Sequence, residues 1–330
     1  MNISEIAKMA GVSSAAVSRY LNGGSLSQAK KEQIQKVIKQ TGYEPNAYAR
    51  TLRTGYMNNI GVIVPKINSE SVSEVTAGIS TVLSKHNYML FLGNTDNNEM
   101  RELDFFRIMQ KNHLAGIILM GTIITPSHLR VFQECKIPII IVGQIQERMP
   151  CIYHDDYHAA RALASLVLDK GKKNVAYISV RDEDIAVGKN RKQGVIDELT
   201  AHSLSPVTIE SSLFTIDSGY EAMQRILDKN LNIDSVVCAT DSIAIGAMKA
   251  IRDAGYSIPE DISICGFGGN KIGAMLTPPL TTVKLFYKQA GMEAAKLLLD
   301  MIETSRKEEK EETTIRQLML SYEILERESI

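Results

Sequence analysis

Four short polar runs carry the side chains of this 330-residue chain best suited to gripping a hydroxyl-rich or anionic small molecule. Lys66-Ile67-Asn68-Ser69-Glu70 follows the apolar run Ile60–Pro65. His154-Asp155-Asp156 follows what reads as the fourth strand, Gly188-Lys189-Asn190-Arg191 precedes a helical stretch, and Thr240-Asp241-Ser242 follows Cys238-Ala239. A guanidinium presents a planar fork of donors and a carboxylate a pair of acceptor oxygens, so each fixes neighbouring hydroxyls with direction. Lys66, Lys189 and Arg191 are expected to gather positive charge near one cleft, which suits a phosphorylated ligand. Catalysis is not indicated, because no nucleophile, base and oxyanion-stabilising set emerges. Gly266-Phe267-Gly268-Gly269 follows a strand-like run, but Lys271 stands where the dinucleotide fingerprint needs glycine. His154, Asp155, Asp156 and His158 could each ligate a metal, yet no further cluster completes a site. The expectation is a binding protein, not an enzyme, with no cofactor or metal.

Apolar runs and helical periods alternate from Asn59 onward, and they must position these loops. Ile60–Pro65, Tyr88–Leu92, Gly116–Met120 and Pro138–Val142 read as strands, separated by helical stretches at Ser73–His86 and Met100–Asn112 and followed by one at Tyr157–Lys170. A second round has strands at Val175–Val180, Ser235–Ala239, Ile262–Gly266 and Leu280–Lys284. Its helical stretches are Lys189–His202, Tyr220–Asn230, Ser242–Ala254 and Gln289–Thr304. Such alternation predicts parallel, doubly wound α/β sheets, and two similar rounds predict two lobes with a cleft between them. Ligands bind at the carboxyl ends of parallel strands, which is where the four polar runs fall. The run Ser305–Glu312 reads as a solvated charged turn, and Leu318–Ser329 as a last strand.

The first residues follow another plan. Ile3, Ile6, Ala7 and Ala10 fall on one helical face, and Asn2 with Glu5 forms a capped start. Gly11 supplies a turn, Ser13 can cap a second helix through Leu21, and Ser27 a third whose Ile34, Val37 and Ile38 pack back. Two helices about a glycine turn make a helix-turn-helix. The second helix would enter the major groove with Ser14, Ala15, Ser18 and Arg19 toward the bases and Val17 and Leu21 inward. Pro45 opens a further short basic segment to Arg53. The chain carries −1 overall, but residues 1–55 hold eight basic side chains against three acidic ones. This stretch is therefore +5 and the remainder −6, the footprint of a phosphate-binding unit on a body that avoids phosphate. Cys135, Cys151, Cys238 and Cys265 lack paired spacing and read as buried thiols. No stretch reads as a leader or membrane span, so a cytoplasmic protein is expected.

Gly11 through Asn22, followed by Gly42-Tyr43-Glu44-Pro45-Asn46-Ala47-Tyr48-Ala49-Arg50-Thr51-Leu52, resembles the head and hinge of the lac repressor family of sugar-responsive regulators. The resemblance implies a helix-turn-helix head at 1–44, a hinge helix and linker at 45–58, and a two-lobed, periplasmic-binding-protein-like body at 59–330. It divides that body into lobe N (about 59–158 and 288–318) and lobe C (about 159–287 and 319–330). It adds Ser4, Ser13, Ala16, Asn22, Asn46, Tyr48, Ala49 and Arg53 to the DNA contacts, and makes Leu52 an apolar wedge for the minor groove of a palindromic operator gripped by a homodimer. Arg191 and Asp241 match positions that clamp sugar hydroxyls, and Lys66, Asn68, Gln144, Asp155 and Lys189 complete the implied effector set. Many family members have Gly-Phe-Asp-Asp where this chain has Gly266-Phe267-Gly268-Gly269. The missing carboxylate, with Cys238-Ala239-Thr240-Asp241 and Gly188-Lys189-Asn190-Arg191, resembles the repressors of trehalose and sucrose operons. That likeness implies release from operator by a phosphorylated disaccharide such as trehalose 6-phosphate or sucrose 6-phosphate. A co-repressed or activating member using another ligand or a partner protein, and a non-regulatory sugar-binding protein, remain alternatives. No leucine heptads follow the last strand, so the tetramer-forming tail of the lac repressor is not expected.

Overall fold

A computed structural model describes residues 1–21, 24–43, 58–306 and 314–330. The expected contacts Asn22, Asn46, Tyr48, Ala49, Leu52 and Arg53, the hinge helix, and most of the charged run after Ser305 lie outside these residues.

The described part of the first 58 residues forms one compact unit and the α/β body another. In the head, α1 (Ile3–Met9) starts with a reciprocal capping box. The Glu5 N–H donates to Asn2 Oδ1 at 3.0 Å, and the Asn2 N–H donates to Glu5 Oε2 at 2.9 Å. Each bond satisfies an amide that the helix geometry leaves without a carbonyl. Gly11 takes φ +63°, a conformation that glycine adopts without a Cβ penalty. The chain then enters α2 (Ser14–Leu21), where Ser13 Oγ accepts the Ala16 N–H at 3.2 Å. In α3 (Gln28–Thr41) Ser27 holds the cap position, but its side chain makes no capping bond, contrary to expectation. Ile6, Val17 and Ile34 are fully buried and knit the three helices together.

The body contains two six-stranded sheets with the same winding. The first runs β11-β5-β4-β3-β1-β2, from β1 (Asn59–Val64), β2 (Met89–Asn94), β3 (Gly116–Met120), β4 (Ile139–Val142), β5 (Cys151–His154) and β11 (Gln317–Leu320), all parallel. The second runs β12-β10-β9-β8-β6-β7, from β6 (Val175–Ser179), β7 (Thr208–Ser211), β8 (Ser235–Cys238), β9 (Ser263–Gly268), β10 (Thr281–Leu285) and β12 (Tyr322–Leu325). Here only β12 is antiparallel to its neighbour. Their helices are α4 (Glu70–Lys85), α5 (Glu99–Lys111), α6 (Pro126–Glu134), α7 (Asp156–Asp169), α8 (Arg191–Ala201), α9 (Ile216–Asp228), α10 (Asp241–Asp253) and α11 (Tyr287–Ser305). No described helix is long and apolar enough to cross a membrane.

Three details correct the sequence reading. The last strand is two strands, one in each sheet, so the expected division at 318 cuts through β11, which belongs whole to the first sheet. The chain crosses between sheets after β5, after β10 and between β11 and β12. His154 ends the fifth strand and Asp155-Asp156 follows it, not the fourth, because the four-residue β5 is too short to show as an apolar run. The helical stretch at Lys189 begins earlier, as a π-helical turn at Ile185–Asn190 that hands over to α8.

Candidate functional site

Several of the predicted loops do structural work at helix starts, and this decides which side chains remain for a ligand. Asp155 caps α7: it accepts the His158 N–H at 3.3 Å, and both its oxygens lie 2.9 Å from His158 Nδ1. Thr240 caps α10 through the Ile243 N–H, and Asp184 caps the π-helical turn through the Val187 N–H at 2.9 Å. Gln144 is buried, with its Nε2 donating to the Gly121 carbonyl at 2.9 Å.

Arg191 is also engaged. Only 3% of it is exposed. Its Nε donates to Asp156 Oδ1 and its Nη1 to the Ala239 carbonyl, both at 2.7 Å, and Nη2 lies 2.7 Å from Asp156 Oδ1. The guanidinium carbon sits 5.0 Å from the Phe267 ring centroid. Burial works against the charge, but Asp156 beside it outweighs that effect and raises the pKa. His154 stacks edge-on against Tyr287, 5.5 Å between centroids. Burial drives its pKa down, so the imidazole is held neutral.

Asp241 lies under the glycine run. Its Oδ1 accepts the Thr282 hydroxyl at 2.6 Å and its Oδ2 the Asn270 N–H at 2.7 Å. With 2% of the residue exposed, burial pushes its carboxyl pKa up to about 6, against the pull of those two hydrogen bonds and the more distant Arg191. The position of this carboxylate accounts for the missing Asp. A Cβ on Gly266 would approach Asp241 Oδ1 to 2.7 Å, and one on Gly268, whose φ is +142°, would approach Oδ2 to 3.2 Å. A second carboxylate on this strand end would face the first in a desolvated place.

Two compartments open between the lobes. One, called inner because it lies against α11, is about 460 Å³ and is walled by Ser69, Glu70, Ser71 and Glu74 from one lobe and by Asp241, Gly268–Lys271 and Lys284 from the other, with Tyr287 and Lys288 of α11. The outer one, about 380 Å³, takes Lys66, Asn97, Glu99, Glu102 and His128 from the first sheet's lobe and Arg181, Asp184 and Ser212–Thr215 from the second's. Both sizes fall within the range of small-molecule sites. Phe214, 38% exposed, lines both. Across the inner mouth, Lys271 Nζ donates to Glu74 Oε1 at 2.6 Å and the Lys271 N–H to Glu70 Oε1 at 3.3 Å. The lysine's hydrogen bond holds the Glu74 pKa low.

Of the expected effector residues, Asp241 lines the inner compartment and Lys66 the outer. Lys189 is exposed and, like Asn68, borders neither. The expected trio of Lys66, Lys189 and Arg191 is therefore not assembled, because Arg191 turns inward to Asp156. The cations at the inner compartment are Lys271, Lys284 and Lys288 instead. Lysines followed by no distinctive spacing gave no signal for this. Phe214 could have been suspected as a large apolar residue in the polar run Ser211–Asp217. In the head, Ser4, Ser13, Ser14, Ala15 and Arg19 are exposed and Ser18 is half-buried. Ala16 is buried, 6% exposed, so its methyl packs in the head's core instead of facing outward with Ala15.

A two-lobed α/β body with a cleft for a small polar ligand, on one chain with a helix-turn-helix head, defines a ligand-responsive DNA-binding protein. Residues 2–46 match the model for bacterial regulatory proteins of the lacI family, and residues 164–330 that for a periplasmic binding protein-like domain. The sucrose operon repressor of Staphylococcus xylosus is 35% identical over 302 residues, 92% of this chain and 94% of its own. Catabolite control protein A of Priestia megaterium is 29% identical over 304 residues, 90% and 91% of the two chains. The fold is also that of a lac repressor dimer solved with operator and an anti-inducer, with a TM-score of 0.88 at 19% identity over 100% of this chain and 98% of the other. The chain belongs to the lacI family: it is a DNA-binding transcriptional regulator of the sugar-operon repressor kind, and not an enzyme.

Proposed function

We propose that this regulator is a homodimeric repressor of a disaccharide-utilisation operon, released from a palindromic operator by a phosphorylated disaccharide in the interlobe cleft. The observation that carries the reading is the inner compartment. It lacks a second carboxylate at Gly268-Gly269 and has Lys271, Lys284 and Lys288 on its walls. Lys271 is paired with Glu74 and Lys284 with Glu323, so a doubly charged phosphate would meet Lys288 and draw on the other two lysines in competition with those carboxylates. The relative from Staphylococcus xylosus, named as a sucrose operon repressor, supports the same class of sugar. Effector in the cleft would change the angle between lobes and so the spacing of the paired hinges that carry Leu52 to the minor groove.

The test is a gel-shift titration on a symmetric duplex that the protein selects from a random pool. Saturating sucrose 6-phosphate or trehalose 6-phosphate should weaken binding by at least tenfold, and the free sugars should not. Unchanged binding with both phosphates removes the proposed effector class, and tighter binding reverses the sign to co-repression.

A further inference from the structure

The cleft is divided, and the division has a chemical sense. The inner compartment holds three lysines against Glu70, Glu74 and Asp241, with Lys271 paired to Glu74 and Lys284 to Glu323 at 2.8 Å. The outer one has two cations, Lys66 and Arg181, against three carboxylates, Glu99, Glu102 and Asp184. A phosphate is thus better matched inside, and hydroxyls, which both donate and accept, are better matched outside.

The outer compartment also has the features of a built site. His128 is 1% exposed, and its Nε2 lies 2.9 Å from Glu102 Oε1 without a hydrogen bond. Its Nδ1 is fixed 2.8 Å from the Thr125 hydroxyl, which in turn donates to Glu99 Oε1 at 2.6 Å. Asp184 on the facing lobe is buried, and that burial lifts its pKa to about 6. These polar groups are held in place by their own lobes and converge on one space of about 380 Å³. Between the two spaces stands the half-open ring of Phe214, in reach of both. An aromatic face with polar groups around it suits the apolar faces and hydroxyl rim of a pyranose or furanose ring.

From this geometry we infer that the outer compartment is a second sugar subsite, taking the unphosphorylated ring of a disaccharide phosphate whose phosphorylated ring lies in the inner compartment, with the glycosidic link passing Phe214. Lys66, Glu99 and Arg181 are its recognition groups, and His128, Asp184 and Ser212, buried and bonded within their own lobes, form its polar floor. This rests on the phosphorylated-disaccharide reading above and adds the means by which the protein tells a disaccharide phosphate from a hexose phosphate. A hexose phosphate fills only the inner space and leaves the outer polar groups to water, forfeiting the contacts that reward the second ring.

Isothermal titration of the full chain with sucrose 6-phosphate, trehalose 6-phosphate, glucose 6-phosphate and sucrose tests it. The better disaccharide phosphate should bind at least tenfold more tightly than glucose 6-phosphate. Glu99→Gln and Lys66→Gln, made separately at accessible positions, should each shrink that ratio severalfold and leave glucose 6-phosphate affinity as it was. Lys288→Met should weaken all the phosphates and leave sucrose unmoved. Equal affinity of the wild type for glucose 6-phosphate and the disaccharide phosphates overturns the subsite while the phosphate reading stands. So does a ratio that neither outer variant moves. If no sugar phosphate binds, the phosphate reading falls and the subsite falls with it.

Discussion

At the scale of single residues, what sequence reading could and could not find is set by how far a side chain's partner lies along the chain. Arg191 and Asp241 stand out because they match positions that the resembling family uses to clamp sugar hydroxyls, but their roles follow from contacts with Asp156, Ala239, Asn270 and Thr282, none of which local spacing encodes. Asp184 was not singled out for the same reason. It looks like one of several acids in the run Arg181–Asp184, yet it alone of these is buried. Its pKa, raised to about 6 by burial, makes a stability prediction. A carboxyl harder to ionise folded than unfolded contributes its full stability below the unfolded value, near 4, and loses it as pH rises through 6. A rise of that size opposes the ionised fold by roughly 3 kcal/mol at neutral pH. Asp184→Asn keeps an oxygen for the Val187 N–H and removes the charge, so it should raise the melting temperature at pH 7.5. The gain should shrink as pH falls toward 5. A gain that grows on acidification would mean that the ionised carboxylate is stabilised by Arg191 more than burial opposes it.

At the scale of elements, the alternating plan was legible because buried parallel strands are continuous apolar runs, whereas the missed pieces are short and mixed. β5 reads Cys-Ile-Tyr-His and β7 Thr-Ile-Glu-Ser, too few residues for a period to show. What the sequence did not disclose is how closely the helices pair. α4 meets α11 through Gly78 and Gly291, and α9 meets α10 through Gly219 and Gly246. A Cβ on Gly291 would lie 2.0 Å from the Val75 carbonyl oxygen, and one on Gly246 1.9 Å from that of Ile216. Backbone cannot step aside as a side-chain tip can, so the helices themselves would have to part. Overpacking of this kind typically destabilises by about 1–3 kcal/mol. Gly246→Ala should therefore lower the urea midpoint of the body by a matching amount, with little change in slope. An unchanged midpoint would show that α9 and α10 separate freely. Thr215 and Thr240, which cap these two helices, flank the cleft at Phe214 and Asp241, so the same substitution should also loosen sugar-phosphate binding.

At the scale of the whole molecule, a net charge of −1 conceals +5 in residues 1–55 and −6 in the remainder, and this asymmetry would set how operator and the proposed effector act on one another. If about four of the eight basic residues in residues 1–55 of each subunit meet phosphates, a dimer releases counterions at roughly eight places, and log affinity should fall against log salt with a slope near −7. The effector carries no such dependence through the head, so its influence appears as a constant factor laid on that slope. Linkage then makes a strict demand of the proposed effector: if sucrose 6-phosphate or trehalose 6-phosphate weakens operator binding by some factor, operator must weaken the sugar phosphate by the same factor, measured in the same salt. Fluorescence anisotropy on labelled duplex gives the first factor, and calorimetry on the preformed complex gives the second. Equal factors across two salt concentrations tie the cleft to the head through one equilibrium of one dimer. Unequal factors would mean that the sugar phosphate also changes the subunit equilibrium, and a shallow salt slope would mean that the basic head does not grip the phosphate backbone its charge fits it for.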